Sequence, residues 1–300
     1  MICLAFAASL VAQRQLDEPH GPRPARPGQC QRIVSMAPSI TETLFSLGLG
    51  DRVVGVSRDS RYPAEVERIK AGGGDVGGYF DPNVEAIVAR KPDLVVMLEE
   101  SAESQPGMAK LDLRTLVVCH KTVEGIIESF GTIGRACDKE AEGRQMQQDF
   151  RNRLARVQSR VGNAPRPRVL VAVDRTFDTG HLADVYIAGV DDYFDTIVRL
   201  AGGENVYRQP GIRYPVVSPE GIIRLNPDVI VELVPSDAME RHGRQAILDA
   251  WKDVGAVAAV KNHRIMVFAE DYALVPGPRF IRLVEELAQT LRDDARAKSL

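Results

Sequence analysis

Three hundred residues is about two domains' worth of chain at roughly 150 residues each. With 44% hydrophobic and 26% charged residues the composition is that of a globular protein, which excludes a disordered or collagen-like chain. A net charge of −3 offers no basic surplus for nucleic acid and no acidic tail, and the four cysteines, Cys3, Cys30, Cys119 and Cys137, lack the paired C-x-x-C spacing of a structural zinc site.

Residues Ile2 to Ala12 are apolar or small, about the length of a secretory h-region and too short to span a bilayer. No basic residue precedes them, so they read as a weak or truncated export signal. Asp17 to Gly28, rich in Pro and Arg, reads as a disordered spacer. Residues 1–30 are therefore expected to be signal and spacer, and the mature protein to lie in the periplasm or cell envelope. No later stretch is long and apolar enough to cross a membrane.

From Arg32 onward, strand-like runs alternate with amphipathic helices. Strands are predicted at Arg32–Met36, Val53–Val56, Leu94–Leu98 and Thr115–Val118. Ser39 with Glu42 reads as a capping box opening a helix that stops near Gly48 and Gly50. Val123–Cys137 reads as another helix. A long helix follows from about Asp138 to Val161, with Met146, Phe150, Leu154, Val157 and Val161 on one apolar face and Pro165 and Pro167 as its stop. The alternation then restarts, with strands at Arg168–Val173, Val229–Leu233 and Ile265–Phe268 and helices at Ala246–Val254 and Arg279–Arg296. This is the pattern of an α/β protein with mainly parallel sheets. The expected division is an N-terminal α/β lobe over 31–137, a linker helix over 138–164 and a C-terminal α/β lobe over 165–300.

The halves resemble each other. Asn83 to Val88 leads into Lys91-Pro92-Asp93-Leu94, and Ser218 to Ile223 leads into Asn226-Pro227-Asp228-Val229. Glu85 and Glu220 hold the same place in the two units. Arg32-Ile33-Val34 and Arg168-Val169-Leu170 open their halves at nearly the same offset. Two similar lobes joined by one helix form a clam, with a ligand crevice expected near the strand C-termini.

Catalytic signatures are missing: there is no G-x-S-x-G elbow and no G-K-[ST] phosphate loop. The one G-x-G-x-x-G, at Gly72, Gly74 and Gly77, follows a polar segment and precedes Tyr79-Phe80-Asp81-Pro82, so it reads as a flexible loop. His20, His120, His181, His242 and His263 show no ligand spacing and read as solvated or turn residues. No catalytic residue, resident metal or cofactor is expected. Asp59, Asp178 and Asp271 could converge in the crevice, but nothing in the spacing requires it. The better signal is aromatic. Tyr79, Tyr186, Tyr214 and Tyr272 fall in loops or strand ends that would reach the crevice, where flat rings suit a large, partly apolar ligand. Asp59, Arg58, Arg213 and Asp271 could add polar contacts. Glu85 and Glu220 sit in the first turns of their helices, where the helix dipole favours a carboxylate. They could equally dock on two arginines of a symmetric partner.

Several stretches carry a resemblance: Arg32 to Glu42 (RIVSMAPSITE), Gly78 to Glu85 (GYFDPNVE), Lys91 to Val95, Ala201 to Val206 (AGGENV) and Pro276 to Arg279 (PGPR). Together they are similar to the periplasmic vitamin B12-binding and ferric-siderophore-binding proteins, over about Arg32 to Leu291. The resemblance implies two α/β lobes on a single helical backbone, and a monomer that delivers a ligand to the permease dimer of an ABC importer, with ATP hydrolysed by separate subunits. It implies permease docking by Glu85 and Glu220, and ligand contacts at Tyr79, Tyr186 and Tyr214 and in the loop of Asp271 and Tyr272. The implied ligand is a corrinoid, or else a ferric siderophore or haem. The sequence departs from the vitamin B12-binding pattern in having tyrosine where tryptophan stands at the places of Tyr79 and Tyr214, and no cysteine at Ala201. An enzyme on the same scaffold and a free metal-ion receptor are the readings from other classes. Export would permit a disulfide, and whether Cys119 and Cys137 form one is left open.

Overall fold

The computed structural model describes residues 30–104, 113–190 and 192–297. The expected signal and spacer, apart from Cys30, lie outside them. Two sheets form the two lobes. The N-terminal sheet has the order β2-β1-β3-β4, all parallel, from β1 (Ile33–Ser35), β2 (Val53–Val56), β3 (Leu94–Leu98) and β4 (Thr115–Val118). Around it lie α1 (Pro38–Ser46), α2 (Val66–Ile69), α3 (Val84–Ala89), α4 (Glu99–Ser104) and α5 (Val123–Ala136).

The next helix, α6 (Glu140–Val161), leads to the second sheet. That sheet has the order β10-β9-β5-β6-β8, from β5 (Arg168–Asp174), β6 (Val185–Ile187), β8 (Val216–Val217), β9 (Val229–Leu233) and β10 (Ile265–Phe268), with the short β7 (Glu204–Asn205) beside β5. Strands β5, β7, β9 and β10 run parallel; β6 and β8 are antiparallel additions. Its helices are α7 (Tyr193–Leu200), α8 (Pro219–Leu225), α9 (Ser236–Ala250), α10 (Ala258–Lys261) and α11 (Phe280–Ala297). Every residue of β3 and β9 is buried, as expected of parallel strands covered on both faces.

The internal repeat is visible in the hydrogen bonds. Asp93 accepts from the backbone N–H of Arg32 at 3.0 Å, and Asp228 accepts from that of Arg168 at 3.0 Å. The Arg32 guanidinium donates to the carbonyls of Arg90 and Lys91, and that of Arg168 to Leu225 and Asn226. Lys91 and Asn226 both take left-handed backbone angles, φ 48° and 40°, to turn each helix into its strand. Asn83 and Ser218 cap α3 and α8 by accepting from Ala86 and Gly221. Each half thus carries the same helix–turn–strand clasp on its opening arginine.

Helix α6 packs closely on α5. A side chain at Gly143 would meet the Phe130 carbonyl oxygen at 2.5 Å, and one at Gly134 the Lys139 carbonyl oxygen at 2.6 Å, so glycine is required at both. Phe150 of α6 lies 4.9 Å from the Phe130 ring of α5 and 5.6 Å from the Phe280 ring of α11. Met146 touches the cores of both lobes, which makes the two cores continuous through these helices. Asp138, at φ 56°, makes the turn from α5. The helix ends at Gly162, φ 55°, three residues before Pro165, so a left-handed glycine and not the prolines stops it.

Three local expectations are corrected. Ser39 does not cap α1: Ala37 is the N-cap and Pro38 occupies the first turn, where its fixed φ starts the helix earlier. Ser39 and Glu42 are bound to distant residues instead. The glycine-rich segment continues α2 as a wide helical turn over Lys70–Gly74 and then bridges Asp75 to Val56, so it is built onto the sheet edge. Helix α9 begins ten residues before the expected Ala246, with a break at Gly243 (φ 75°) that disrupts the apolar period.

The disulfide pairs Cys30 with Cys137, 107 residues apart, and Cys119 is a free thiol. Arg52 donates to the carbonyls of both half-cystines at 3.2 Å each.

Candidate functional site

A cleft of about 530 Å³ lies between the lobes. The N-terminal wall comes from the strand C-termini and the segments that leave them: Ala37–Ser39 after β1, Leu98 at the end of β3 and Glu100 after it, and His120 and Lys121 after β4, with Asp59, Tyr79 and Phe80 beside them. The C-terminal wall comes from Asp192, Tyr193 and Phe194 at the start of α7, Arg213 and Tyr214 before β8, and Leu274–Pro276. Parallel strands end together, so loops from distant parts of the chain meet at one edge.

Aromatic rings face the cleft from both lobes. Tyr79 and Phe80 pack edge-to-face with centroids 4.4 Å apart, and Tyr193 and Phe194 do the same at 4.9 Å. Tyr79 and Tyr214 stand at equivalent places in the two halves. Burial, together with the carboxylates of Glu100 for Tyr79, of Glu42 and Asp192 for Tyr193 and of Asp192 for Tyr214, pushes all three phenols above their ordinary pKa. They remain protonated donors at neutral pH.

Charge crosses the cleft. Arg213 Nε lies 3.1 Å from Asp192 Oδ1 on its own lobe, and its Nη1 lies 3.8 Å from Glu100 Oε1 on the other. Lys121 Nζ lies 3.4 Å from Glu99 Oε2 and 3.9 Å from Glu100 Oε1. Asp192 is 3% exposed, and burial raises its pKa against the lowering effect of its hydrogen bonds and of Arg213.

His120 corrects the expectation of a solvated histidine. It is 3% exposed and lies between two serines. Ser129 Oγ donates to the Ile126 carbonyl at 2.6 Å, so it accepts from His120 Nε2–H at 2.9 Å. Nδ1 then accepts the Ser39 hydroxyl proton at 2.8 Å. Burial without a nearby carboxylate holds its pKa down at about 3. Of the other described histidines, His181 and His242 meet Asp253 and Asp178 near the surface, and His263 is a turn residue.

Of the expected contact residues, the cleft brings together Asp59, Tyr79, Arg213 and Tyr214. Tyr186 is on β6, outside the lining, because the antiparallel addition points it to solvent. Tyr272 is 7% exposed and donates to Glu286 at 2.9 Å, which turns it toward α11. Asp271 is held by Arg279 through Nη1 at 2.8 Å and Nη2 at 2.9 Å, and that guanidinium keeps its carboxyl below the usual range. The three carboxylates do not converge, since Asp178 pairs with Arg241 and His242 instead. Glu85 and Glu220 are exposed on α3 and α8, away from the cleft lining. The residues that sequence reasoning missed include Glu100, His120, Lys121, Asp192, Tyr193 and Phe194. Their one shared signal is position, just beyond a strand or at the opening of a helix.

Arg279 also joins the lobes. Its Nε and Nη2 donate to both oxygens of Glu42 on α1, at 3.0 and 2.6 Å, and its guanidinium lies 3.9 Å above the Tyr62 ring. Glu42 is 3% exposed, so this is a buried bidentate tie from one lobe to the other.

Among the described residues no helix is long and apolar enough to cross a membrane, and no cluster of three metal-ligating side chains is present. Among known proteins, the chain is 29% identical over 276 residues to the uncharacterized ABC transporter substrate-binding lipoprotein YvrC of Bacillus subtilis, covering 88% of this chain and 81% of that one. It is 27% identical over 272 residues to a cobalamin-binding protein of Halobacterium salinarum, covering 88% and 70%. Its structure is similar to that of a periplasmic heme-binding protein from Roseiflexus sp. RS-1 in apo form, with a TM-score of 0.74 and 24% identity over 88% of this chain and 99% of that one. The profile of the family described as periplasmic binding protein matches residues 33–272, from the first strand past the last and through the helix between the sheets; the chain belongs to this family of non-enzymatic solute-binding proteins.

Proposed function

We propose that this protein is the substrate-binding component of an ABC importer and that it captures a large metal chelate, a corrinoid first, between its lobes. The observation that carries the reading is the cleft itself, with a volume of about 530 Å³ and aromatic rings from both lobes. Rings of this kind bury much area at low entropic cost. The likeness to a cobalamin-binding protein supports the corrinoid. A ferric siderophore or haem is the second reading, favoured by the likeness to a heme-binding protein.

Glu85 and Glu220 serve as the docking carboxylates for a permease dimer. Each lies in the first turn of a capped helix, and each is followed three residues later, on the same helical face, by an exposed apolar residue: Val88 at 47% and Ile223 at 41%. Such a pair of matched patches suits a partner with two-fold symmetry.

Titration of the purified protein with cyanocobalamin, followed by calorimetry, tests the ligand. Saturable binding at about micromolar or tighter, some −8 kcal/mol, is expected. Tyr214→Ala should weaken it about tenfold or more, through lost ring contact. No saturable heat would overturn the corrinoid reading and bring ferric siderophores and haem forward.

A further inference from the structure

The charge of the cleft narrows the ligand class, an inference that rests on the metal-chelate reading above. Among the described residues, five charged side chains line it: Asp59, Glu100 and Asp192 against Lys121 and Arg213. Both cations are already engaged. Lys121 faces Glu99 and Glu100, and Arg213 faces Asp192 and Glu100. Glu100 therefore lies between a cation of each lobe and leaves neither free.

Taking Arg213 away to meet a ligand anion would strand Asp192, a buried carboxylate whose burial already disfavours its charged form. A carboxylate or catecholate entering the cleft would also come close to Glu100 and Asp59 across a low-dielectric space, where like charges repel strongly. What else the lining offers is neutral: the rings of Tyr79, Phe80, Tyr193, Phe194 and Tyr214.

We propose that the cleft selects, among large metal chelates, those that carry no net negative charge and lay a neutral face against its aromatic rings. Polyanionic chelates are disfavoured because, among the described residues, each lining cation already faces a carboxylate.

The test compares four probes in one calorimetric titration series at about 0.15 M salt, where buried pairs are screened little. The probes are cyanocobalamin, the cationic trihydroxamate ferrioxamine B, a trianionic ferric tricatecholate, and haemin with its two propionates. Cyanocobalamin or ferrioxamine B should bind at least about 100-fold more tightly than the tricatecholate and haemin, the scale set by like charges at close range. Glu100→Gln releases Lys121 and Arg213 from one partner and should strengthen tricatecholate binding about tenfold, with an unchanged circular dichroism spectrum. Equal or tighter binding of the tricatecholate or haemin by the native protein would overturn the charge inference and leave the chelate reading standing. Failure of all four probes to bind would overturn the chelate reading itself. An unaltered tricatecholate affinity in Glu100→Gln would show that charge pairing at this residue does not set the selectivity.

Discussion

His120 shows what one residue's surroundings decide. The Ser39 and Ser129 hydroxyls satisfy both ring nitrogens of a neutral imidazole, and burial penalises the cation. Its folded pKa of about 3 lies below the ordinary 6.5, so above pH 6.5 both states are neutral and the full contribution is present. Below that, the unfolded chain takes up a proton that the folded chain refuses, and stability is lost as pH falls toward 3. Between pH 7 and 4.5 the loss should amount to about 2–3 kcal/mol. Urea unfolding of the native protein and of His120→Asn at both pH values isolates it, because carboxylates such as Glu42 and Asp192 titrate in both proteins. The native protein should lose about that much of its advantage at pH 4.5. A pH-independent difference would mean that the fold accommodates the imidazolium.

At the scale of elements, the α5–α6 corner is where the fold is tied. Gly134 and Gly143 let the helices touch, and Arg153 of α6 binds Glu285 of α11 through two bonds of 2.9 and 2.7 Å. The Cys30–Cys137 bond pins the start of the first lobe to the end of α5. Closing a loop of 107 residues restricts the unfolded chain strongly; by the chain-entropy estimate, and from the removal of native disulfides, the bond should be worth about 2–5 kcal/mol. Replacing both cysteines by alanine should lower the unfolding free energy by that amount, read from urea unfolding with midpoint and slope fitted separately for each protein. A loss below about 1 kcal/mol would show that Arg52, which holds both half-cystine carbonyls, supplies most of the restraint.

At the scale of the molecule, the lobes are joined by a continuous core through α5, α6 and α11 and by the buried Glu42–Arg279 tie. Both features resist wide opening, so closure on a ligand should be small in amplitude. The docking role proposed for the paired glutamates on α3 and α8 is compatible with a receptor whose shape changes little. Glu85→Ala combined with Glu220→Ala should cut ligand uptake by cells or proteoliposomes at least about tenfold while leaving Kd within about twofold, because exposed rim charges govern docking and not the distant cleft. A matching loss of ligand affinity would sink this division of roles.

Alternation of strand and helix, the Asn-Pro-Asp and Lys-Pro-Asp turns and the repeated opening arginines are local patterns, and these were legible. They read out as β1 to β5, β9 and β10 and as the matched clasps of Asp93 and Asp228 on Arg32 and Arg168, with one-sided burial along α6. The cleft was legible only in part. Tyr79 and Tyr214 were found from their place in loops near strand ends, whereas Tyr272, chosen on the same ground, faces Glu286 instead. Glu42 looked like a capping residue until Arg279, 237 positions later, claimed it. Ser39 was taken up by His120 in the same way, and Cys137 by Cys30 and not Cys119. Periodicity constrains which face of an element is buried, and that is a property of neighbours in the chain. The partner of a buried polar group is chosen by whatever the packing brings within about 3 Å, and only the tertiary structure decides that.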